Sequence, residues 1–290
     1  MPRMKILYIS KGRKADYQCD MLFHGLRSLI GPEVVDVNRI WFMYANSFGP
    51  GKHDLSECYG RGFTLYGLLP DDSNVDRTDI RSKIKNRYFD LVIYGSVHRD
   101  RSFLNKVRSI YPPSKIVFID GEDGPGTASV LGQGIYFKRE LVDADALPIQ
   151  FAIPKEKIFP EIPRKTRQMS PHVPWEFPQG PRYEKEADYY RDYGQSYFAR
   201  TRKKAGWDCL RHYEIMAAGA LPYFERLEEC PPRTMELLPK NELLLARQMH
   251  DSWPAQEGGW QELMSKVRAV LREKLTTAAM AKHMLDRIAL

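Results

Sequence analysis

Two groups of residues in this chain have the types and spacing that chemistry needs. The first is Asp120, Glu122 and Asp123, which directly follow the apolar run Lys115–Asp120 (KIVFID) and stand among glycines in Gly121–Gly126. Carboxylates crowded at one strand end can act as a base or orient a substrate hydroxyl, or they can cap the next helix. Like charges held close together are expected to raise one carboxyl pKa, which suits a general base. His98, in the loop after an earlier apolar run, is a further candidate: a base, a phosphate ligand or a plain loop residue. The second group is Arg211 and Glu214, preceded by Lys203 and Lys204. Cations just before a helix start can neutralise an anion that the first-turn amides also bind.

Local structure must position both groups. In Ala205–Phe224, apolar residues Cys209, Leu210, Tyr213, Met216 and Ala217 recur with helical spacing. Gly206 and Asp208 can start this helix, and Gly219 can end it in a left-handed cap. Ala220–Phe224 then reads as a buried strand, with Pro222 near its start or on an edge. Trp207, Arg211, Glu214 and Ala218 form a second stripe, so Arg211 and Glu214 share a face beside the buried one.

The first half alternates strands and helices. Met4–Ser10 reads as a strand, Asp16–Ile30 as a helix stopped by Gly31-Pro32, and Glu33–Asn38 as a second strand. This βαβ opening implies a parallel sheet with a right-handed crossover. Loops with a helix near 76–86 follow, then a strand Tyr88–Ser96, a helix Arg101–Ile110 and the strand Lys115–Asp120. No G-x-G-x-x-G follows the first strand, which argues against a dinucleotide site. Gly134–Leu141 and Pro148–Ile153 read as strands. Pro154–Pro181 carries seven prolines and reads as a helix-free connector in which His172 and Trp175 can line a cleft. Tyr183–Lys204 mixes aromatic and basic residues: a helix to about 192, then a strand or turn at Ser196–Ala199. Its bland reading is a solvated basic turn with core aromatics; its functional readings are diphosphate binding or stacking on single-stranded nucleic acid. Arg233–Leu238 reads as a short helix, Glu242–Ala246 as a strand, and Trp260–Leu275 and Thr276–Leu290 as helices.

The 290 residues carry a net charge of +7. That suits nucleic acid, an anionic surface or a phosphorylated substrate without selecting one. Cys19, Cys58, Cys209 and Cys230 lack metal-ligand spacing, so reduced thiols and a cytoplasmic setting are expected. No apolar run reaches the roughly 18 residues of a membrane span, and no signal-peptide pattern opens the chain.

Arg211-His-Tyr-Glu214-Ile-Met-Ala217-Ala-Gly219-Ala-Leu-Pro222 resembles the donor-site helix of the GT-B glycosyltransferases, whose retaining members carry R-x-x-E-A-x-A-x-G-x-P-V there. Ile215 replaces the usual Ala, and one extra residue separates Gly219 from Pro222. The longer K-K-x-G-W-D-C-x-R-H-Y-E stretch is similar to a set of bacterial and viral sugar-transferase-like proteins. The resemblance covers roughly thirty residues and implies an α/β fold of two Rossmann-like halves facing a cleft, with parallel sheets flanked by helices. Residues 1–145 would form the acceptor side and 146–290 the donor side, with the terminal helix packing back across the cleft.

The implied function is transfer of a sugar from a nucleotide-sugar, UDP-type, to a hydroxyl of a saccharide, a lipid-linked glycan or a modified DNA base. No cofactor or metal is implied; the nucleotide-sugar is a co-substrate. Glu214 would hold the ribose hydroxyls, and Arg211 would fix Glu214 or a phosphate. Lys203 and Lys204 would neutralise the diphosphate, with Gly12, Arg13, Trp207, Asp208 and His212 completing the donor-binding set. His98, Asp120, Glu122 and Asp123 would serve the acceptor. The Arg–Glu motif favours retention at the sugar carbon; a carboxylate base would favour inversion. The implied setting is cytoplasmic or peripheral at an anionic membrane face. Two other classes stay open: a nucleic-acid-binding protein using residues 183–204, and an inactive GT-B-like scaffold.

Overall fold

The runs Ile6–Ile9 (β1), Val34–Asp36 (β2), Leu91–Tyr94 (β3), Ile116–Asp120 (β4), Ile135–Lys138 (β5) and Leu147–Pro148 (β6) are short and almost wholly buried. Strands apolar on both faces belong in a parallel sheet covered by helices on each side. They pair in parallel, in the order β2-β1-β3-β4-β5-β6. The computed structural model describes residues 4–141, 145–173, 175, 183–254 and 257–288.

Alternate residues of each strand serve two cores, as the pleat requires. Ile6, Tyr8, Ile93, Val117 and Ile119 join the larger core, which takes in helix Tyr17–Ile30 (α1) and the second half of the chain. Leu7, Ile9, Val92, Tyr94, Ile116 and Phe118 join the smaller one, beneath the short helices Ile80–Lys85 (α2) and Leu104–Ile110 (α3). Asp16 caps α1, accepting from the Cys19 amide at 3.3 Å, while its own amide donates to Asp20 at 2.9 Å.

A second parallel sheet holds Arg167–Met169 (β7), Ser196–Arg202 (β8) and Leu221–Glu225 (β9), in the order β7-β8-β9. Glu186–Gly194 (α4), Leu210–Ala217 (α5), Lys240–Asp251 (α6), Glu257–Lys274 (α7) and Thr277–Ile288 (α8) accompany it. α5 runs from the carboxyl end of β8 towards β9 and buries Leu210, Tyr213, Ile215, Met216 and Ala217. It ends where Gly219 takes φ +87, the left-handed turn that only glycine adopts freely.

α8 lies against α1. A Cβ at Gly25 would stand 2.0 Å from the Thr277 carbonyl oxygen, so only glycine permits this crossing. His24 Nδ1 lies 2.8 Å from Thr277 Oγ1 at the same contact.

Four local expectations are corrected. Glu242–Ala246 is part of α6, not a strand: Leu243, Ala246 and Met249 are buried at helical spacing. A run of only five residues did not reveal that period. Arg233–Leu238 is a series of turns rather than a helix. Of the expected 148–153 strand, Pro148 pairs as the end of β6 and Ile153 makes an isolated parallel bridge to Thr276. The proline-rich connector, expected to be helix-free, holds a 3-10 turn at Lys155–Lys157, and it also contains β7, an edge strand between prolines; Pro174, Pro178 and Pro181 lie outside the described residues.

Candidate active site

Strand order reverses between β1 and β3, and in open parallel sheets ligands collect beyond the strand ends at such a point. Here the loops after β1, β3, β4 and β5 converge. Ser96 Oγ donates to Asp16 Oδ2 at 2.7 Å, and Arg99 Nη1 stands 3.4 Å from the same oxygen. Arg99 Nε also stands 4.0 Å from Glu122. Between them opens a cleft of about 350 Å³, lined by residues 14–18, Tyr59, Arg99, Gly121–Asp123, Arg139 and Phe151. Gly12 takes φ +65 and leaves no room for a side chain, since a Cβ would meet the Asn38 carbonyl oxygen at 2.7 Å. It shapes the loop, while Arg13 is exposed.

The acidic strand end splits in two. Asp120 continues the parity of Ile116 and Phe118 and faces the side covered by α2 and α3. There Tyr136 OH donates to its Oδ2 at 2.6 Å, His98 Nε2 lies 3.1 Å away, and the buried Lys138 ammonium 3.2 Å away. Burial pushes the Asp120 pKa up, but these hydrogen bonds and the Lys138 charge outweigh it and hold it below the usual range. The expectation of a raised pKa through crowding is therefore corrected for Asp120: positive and donor groups face it, not its acidic neighbours. Glu122 and Asp123 are exposed at the cleft. His98 and Asp120 come together, apart from the other two acids.

Asp123 instead belongs to a bridge between the sheets. It pairs with Arg139 Nη2, whose guanidinium also donates to the Gly121 carbonyl (2.9 Å), Glu140 (2.9 Å) and the Asp208 carbonyl (2.8 Å). Glu140 Oε1 accepts from the Asp208 amide at 2.8 Å. The Asp208 carboxylate accepts from Phe151 N (2.6 Å) and Tyr213 OH (2.9 Å). Burial pushes its pKa up to about 6, against the pull of Arg139. A Cβ at Gly206 would strike Glu140 Oε1 at 2.5 Å and Asp123 Oδ1 at 3.0 Å, so the loop before α5 sits directly on this bridge.

Asp208 was expected to start α5 or bind donor. It makes no side-chain cap: Cys209 is the cap residue, and the Asp208 carboxylate ties the sheets together. His212 was expected in the donor set, yet it is fully buried with both ring nitrogens engaged, by Thr201 Oγ1 (2.8 Å) and the Trp207 carbonyl (2.9 Å). Burial drops its pKa to about 3, so it is neutral and holds the 207 backbone.

The second half presents cations at the carboxyl end of β8. Lys203 and Lys204 are exposed, with Lys203 Nζ 5.2 Å from the Trp207 ring. Arg200, Arg202 and Arg211 surround Trp175, their guanidinium carbons 5.8, 4.3 and 5.9 Å from its ring centroid. His172 is buried among Tyr183, Tyr189 and Tyr193. Arg211 and Glu214 share α5 without a direct ion pair. Glu214 is held instead by Thr64 Oγ1 on Oε1 and Tyr189 OH on Oε2, both at 2.5 Å. Burial raises its pKa despite those bonds and the nearby Arg211.

Sequence reasoning missed Arg139, Glu140, Thr64 and Tyr189. The available signal was Lys138-Arg139-Glu140: three consecutive charges closing an otherwise apolar strand, buried at 0, 2 and 5% exposure. Buried charges must be paired, which marks a polar centre.

No protein-family model matches the chain, and no curated protein is similar to it in sequence. Its structure is similar to an α-glucosyltransferase in complex with UDP and a 13-mer DNA containing an HMU base. Identity is 11%, the match covers 99% of this chain and 100% of that one, and the TM-score is 0.51. An α-glucosyltransferase with UDP and a 13-mer DNA containing a central A:G mismatch matches over the same shares at 11% identity, with a TM-score of 0.50. The likeness shows a GT-B-type fold: α/β, with parallel sheets flanked by helices. Among the described residues, no helix is long and apolar enough to cross a membrane.

Proposed function

We propose that this protein transfers a sugar from a UDP-type nucleotide-sugar to a hydroxyl carried by a DNA base. The observation that supports this most is the likeness, end to end in both chains, to α-glucosyltransferases bound to UDP and DNA. The cleft chemistry is consistent with it. Lys11, Arg13 and Lys14 are exposed at the first half's strand ends, and Arg202, Lys203 and Lys204 at the second half's. A polyanion between such lips gains phosphate contacts, and a leaving diphosphate gains charge neutralisation.

In this reading residues 1–145 hold the acceptor and residues 146–290 the donor. Glu214 accepts the ribose hydroxyls. In the present structure the Thr64 and Tyr189 hydroxyls occupy its two oxygens, one each, much as a diol would. Donor binding exchanges one or both of them for ribose. Lys203, Lys204 and Arg211 meet the diphosphate without a required metal. Glu122 and Asp123 orient or deprotonate the acceptor hydroxyl, and His98 stands by on the far side of Asp120.

The test is direct. The protein is incubated with UDP-glucose and a duplex containing a hydroxymethylated pyrimidine, and the mass of the DNA strand is followed. Gain of a hexose supports the reading. Absence of transfer with intact UDP binding would favour an inactive scaffold, a reading to which the occupied Glu214 lends weight. Absence of both overturns the assignment.

A further inference from the structure

A basic face covers the smaller core, on the side of the first sheet away from the larger core. The neighbouring helices α2 and α3 carry Arg81, Lys83, Lys85, Lys106 and Arg108, and neither holds an acid. A groove of about 670 Å³ opens here, lined by Arg81 and residues 101–106. Arg81 and Arg101 are exposed, and Lys106 is half-buried. The Arg81 guanidinium lies over the Phe103 ring, 5.9 Å from its centroid.

The acids nearby are mostly engaged. Asp76 pairs with Lys83 at 2.7 Å, and Asp100 accepts from the Ser102 amide at 2.8 Å and from Asn38 at 3.1 Å. Asp79, exposed just before α2, offsets one charge. Arg101 donates to the Val97 carbonyl and to Ser129. Among the described residues, Arg81, Lys85, Arg101, Lys106 and Arg108 pair with no carboxylate. Crowded cations without counter-charge repel one another, and a polyanion relieves that repulsion.

We infer that this groove grips the phosphate backbone of the acceptor duplex beyond the base that reacts. The inference rests on the proposed transfer to DNA. Position supports it: Arg99 lines the cleft and Arg101 lines the groove, so one short loop joins the two sites. Two residues span about 7 Å at most. A strand leaving the cleft therefore meets Arg101 next, then Lys106 and Arg81. A membrane surface fits less well. The exposed large apolar side chains, Met4, Leu29, Tyr59, Tyr88 and Leu245, do not line the groove, which leaves little to insert between lipids.

The test uses the full chain with Arg81→Gln and Lys106→Gln combined, which keeps polar side chains of moderate length. Lys266→Gln with Lys282→Gln, exposed on α7 and α8, is the control that removes the same net charge elsewhere. Duplex affinity is titrated over a salt series, alongside UDP affinity, binding to phosphatidylserine vesicles and sugar transfer. Each phosphate contact adds about 0.9 to the slope of log K against log salt. The groove variant should flatten that slope by about 1.8 and bind all duplex sequences more weakly. UDP affinity and kcat should hold while KM for DNA rises, and the control should match wild type. An unchanged slope and KM overturn the inference, and wild-type transfer would still stand. A control that loses as much as the groove variant also overturns it, since bulk charge then explains the effect. Loss of vesicle binding with duplex binding intact overturns it in favour of a membrane surface. A flattened slope in a protein that transfers no sugar supports the groove and rejects the transferase reading.

Discussion

Thr64 Oγ1 donates to Glu214 Oε1 at 2.5 Å, joining the segment between β2 and α2 to α5. The two residues lie 150 positions apart, and the contact is buried. Thr64 is held in turn by Tyr190 OH at 2.9 Å, and its amide by Glu186 at 2.5 Å. The carboxylate proposed to hold ribose is therefore also a latch between the two halves.

The first prediction separates these roles. Glu214→Ala should weaken UDP binding, because a hydrogen bond to a charged group is worth about 1.5–3 kcal/mol. Thr64→Val should lower the melting temperature but leave UDP affinity equal to or tighter than wild type, since it removes a competing hydroxyl. Calorimetric titration of both variants decides. A folded Glu214→Ala protein with wild-type UDP affinity would falsify the ribose assignment and leave only the latch.

The metal prediction follows from the cations at the carboxyl end of β8. Lys203, Lys204 and Arg211 are expected to supply the charge that a leaving diphosphate requires. Transfer should then survive EDTA, and Lys203→Ala with Lys204→Ala should lower it. Loss of activity in EDTA that manganese or magnesium restores would transfer that role to an ion.

How much of this could be read from the sequence depended on the range of the interactions. β1, β3 and β4 announce themselves because a parallel strand buried on both faces must be apolar throughout. α5 and Gly219 were legible because the apolar period and the glycine stop are local signals. The partners of Glu214 were not, since Thr64 reaches it only through the tertiary fold. The same holds for Asp120, whose pKa is set by Lys138 and Tyr136 on the neighbouring strand rather than by its acidic neighbours in sequence. Lys240–Asp251 misled because Glu242–Ala246 taken alone fits either a strand or a helix. The burial of His212 was not legible, because a motif position does not show which way a side chain is buried.

Acidification should destabilise the fold through two neutral histidines. Burial lowers His24 to about 4 and His212 to about 3, against an ordinary value of 6.5. Below pH 6.5 the unfolded chain therefore binds protons that the folded one refuses. The stability is fully present above pH 6.5 and is lost as pH falls towards 4 and then 3. Asp208, raised to about 6, acts the other way below that pH and offsets part of one histidine. Glu214, Asp20 and Asp36, also raised by burial, act in the same sense as Asp208, so the histidine share is isolated by comparing urea unfolding of wild type and His24→Gln between pH 7 and 4. His24→Gln should flatten the slope by up to about 1.4 kcal/mol per pH unit. An unchanged slope would mean that His24 is protonated in the fold.

Gly25→Ala should detach α8 from α1. The added methyl meets the Thr277 backbone at 2.0 Å, and backbone cannot step aside as a side-chain tip can. Overpacking of this kind costs about 1–3 kcal/mol or more. A melting temperature within a degree of wild type would show that the helices can separate freely.

The last prediction concerns the two kinds of acid at the end of β4. Asp120 is fully buried beside the equally buried Lys138, 3.2 Å away. Asp120→Asn would leave that ammonium without its counter-charge, and breaking a buried pair in this way costs about 3–5 kcal/mol. The variant should be expressed poorly or melt early. Lys138→Met in the same background should recover part of the loss, because it removes the orphaned charge. Glu122 is exposed at the cleft and, among the described residues, its carboxylate makes a 4.0 Å contact to Arg99, so Glu122→Gln should fold normally. Asp123→Asn should weaken its pairing to Arg139, which keeps its other acceptors at Gly121, Glu140 and Asp208. If either acid is the base for the acceptor hydroxyl, its amide should cut kcat by about 100-fold or more, with UDP affinity unchanged. If both amides turn over normally, the proton has another destination. His98→Gln is then the variant to measure, since the His98 ring stands 3.1 Å from the Asp120 carboxylate at the same strand end.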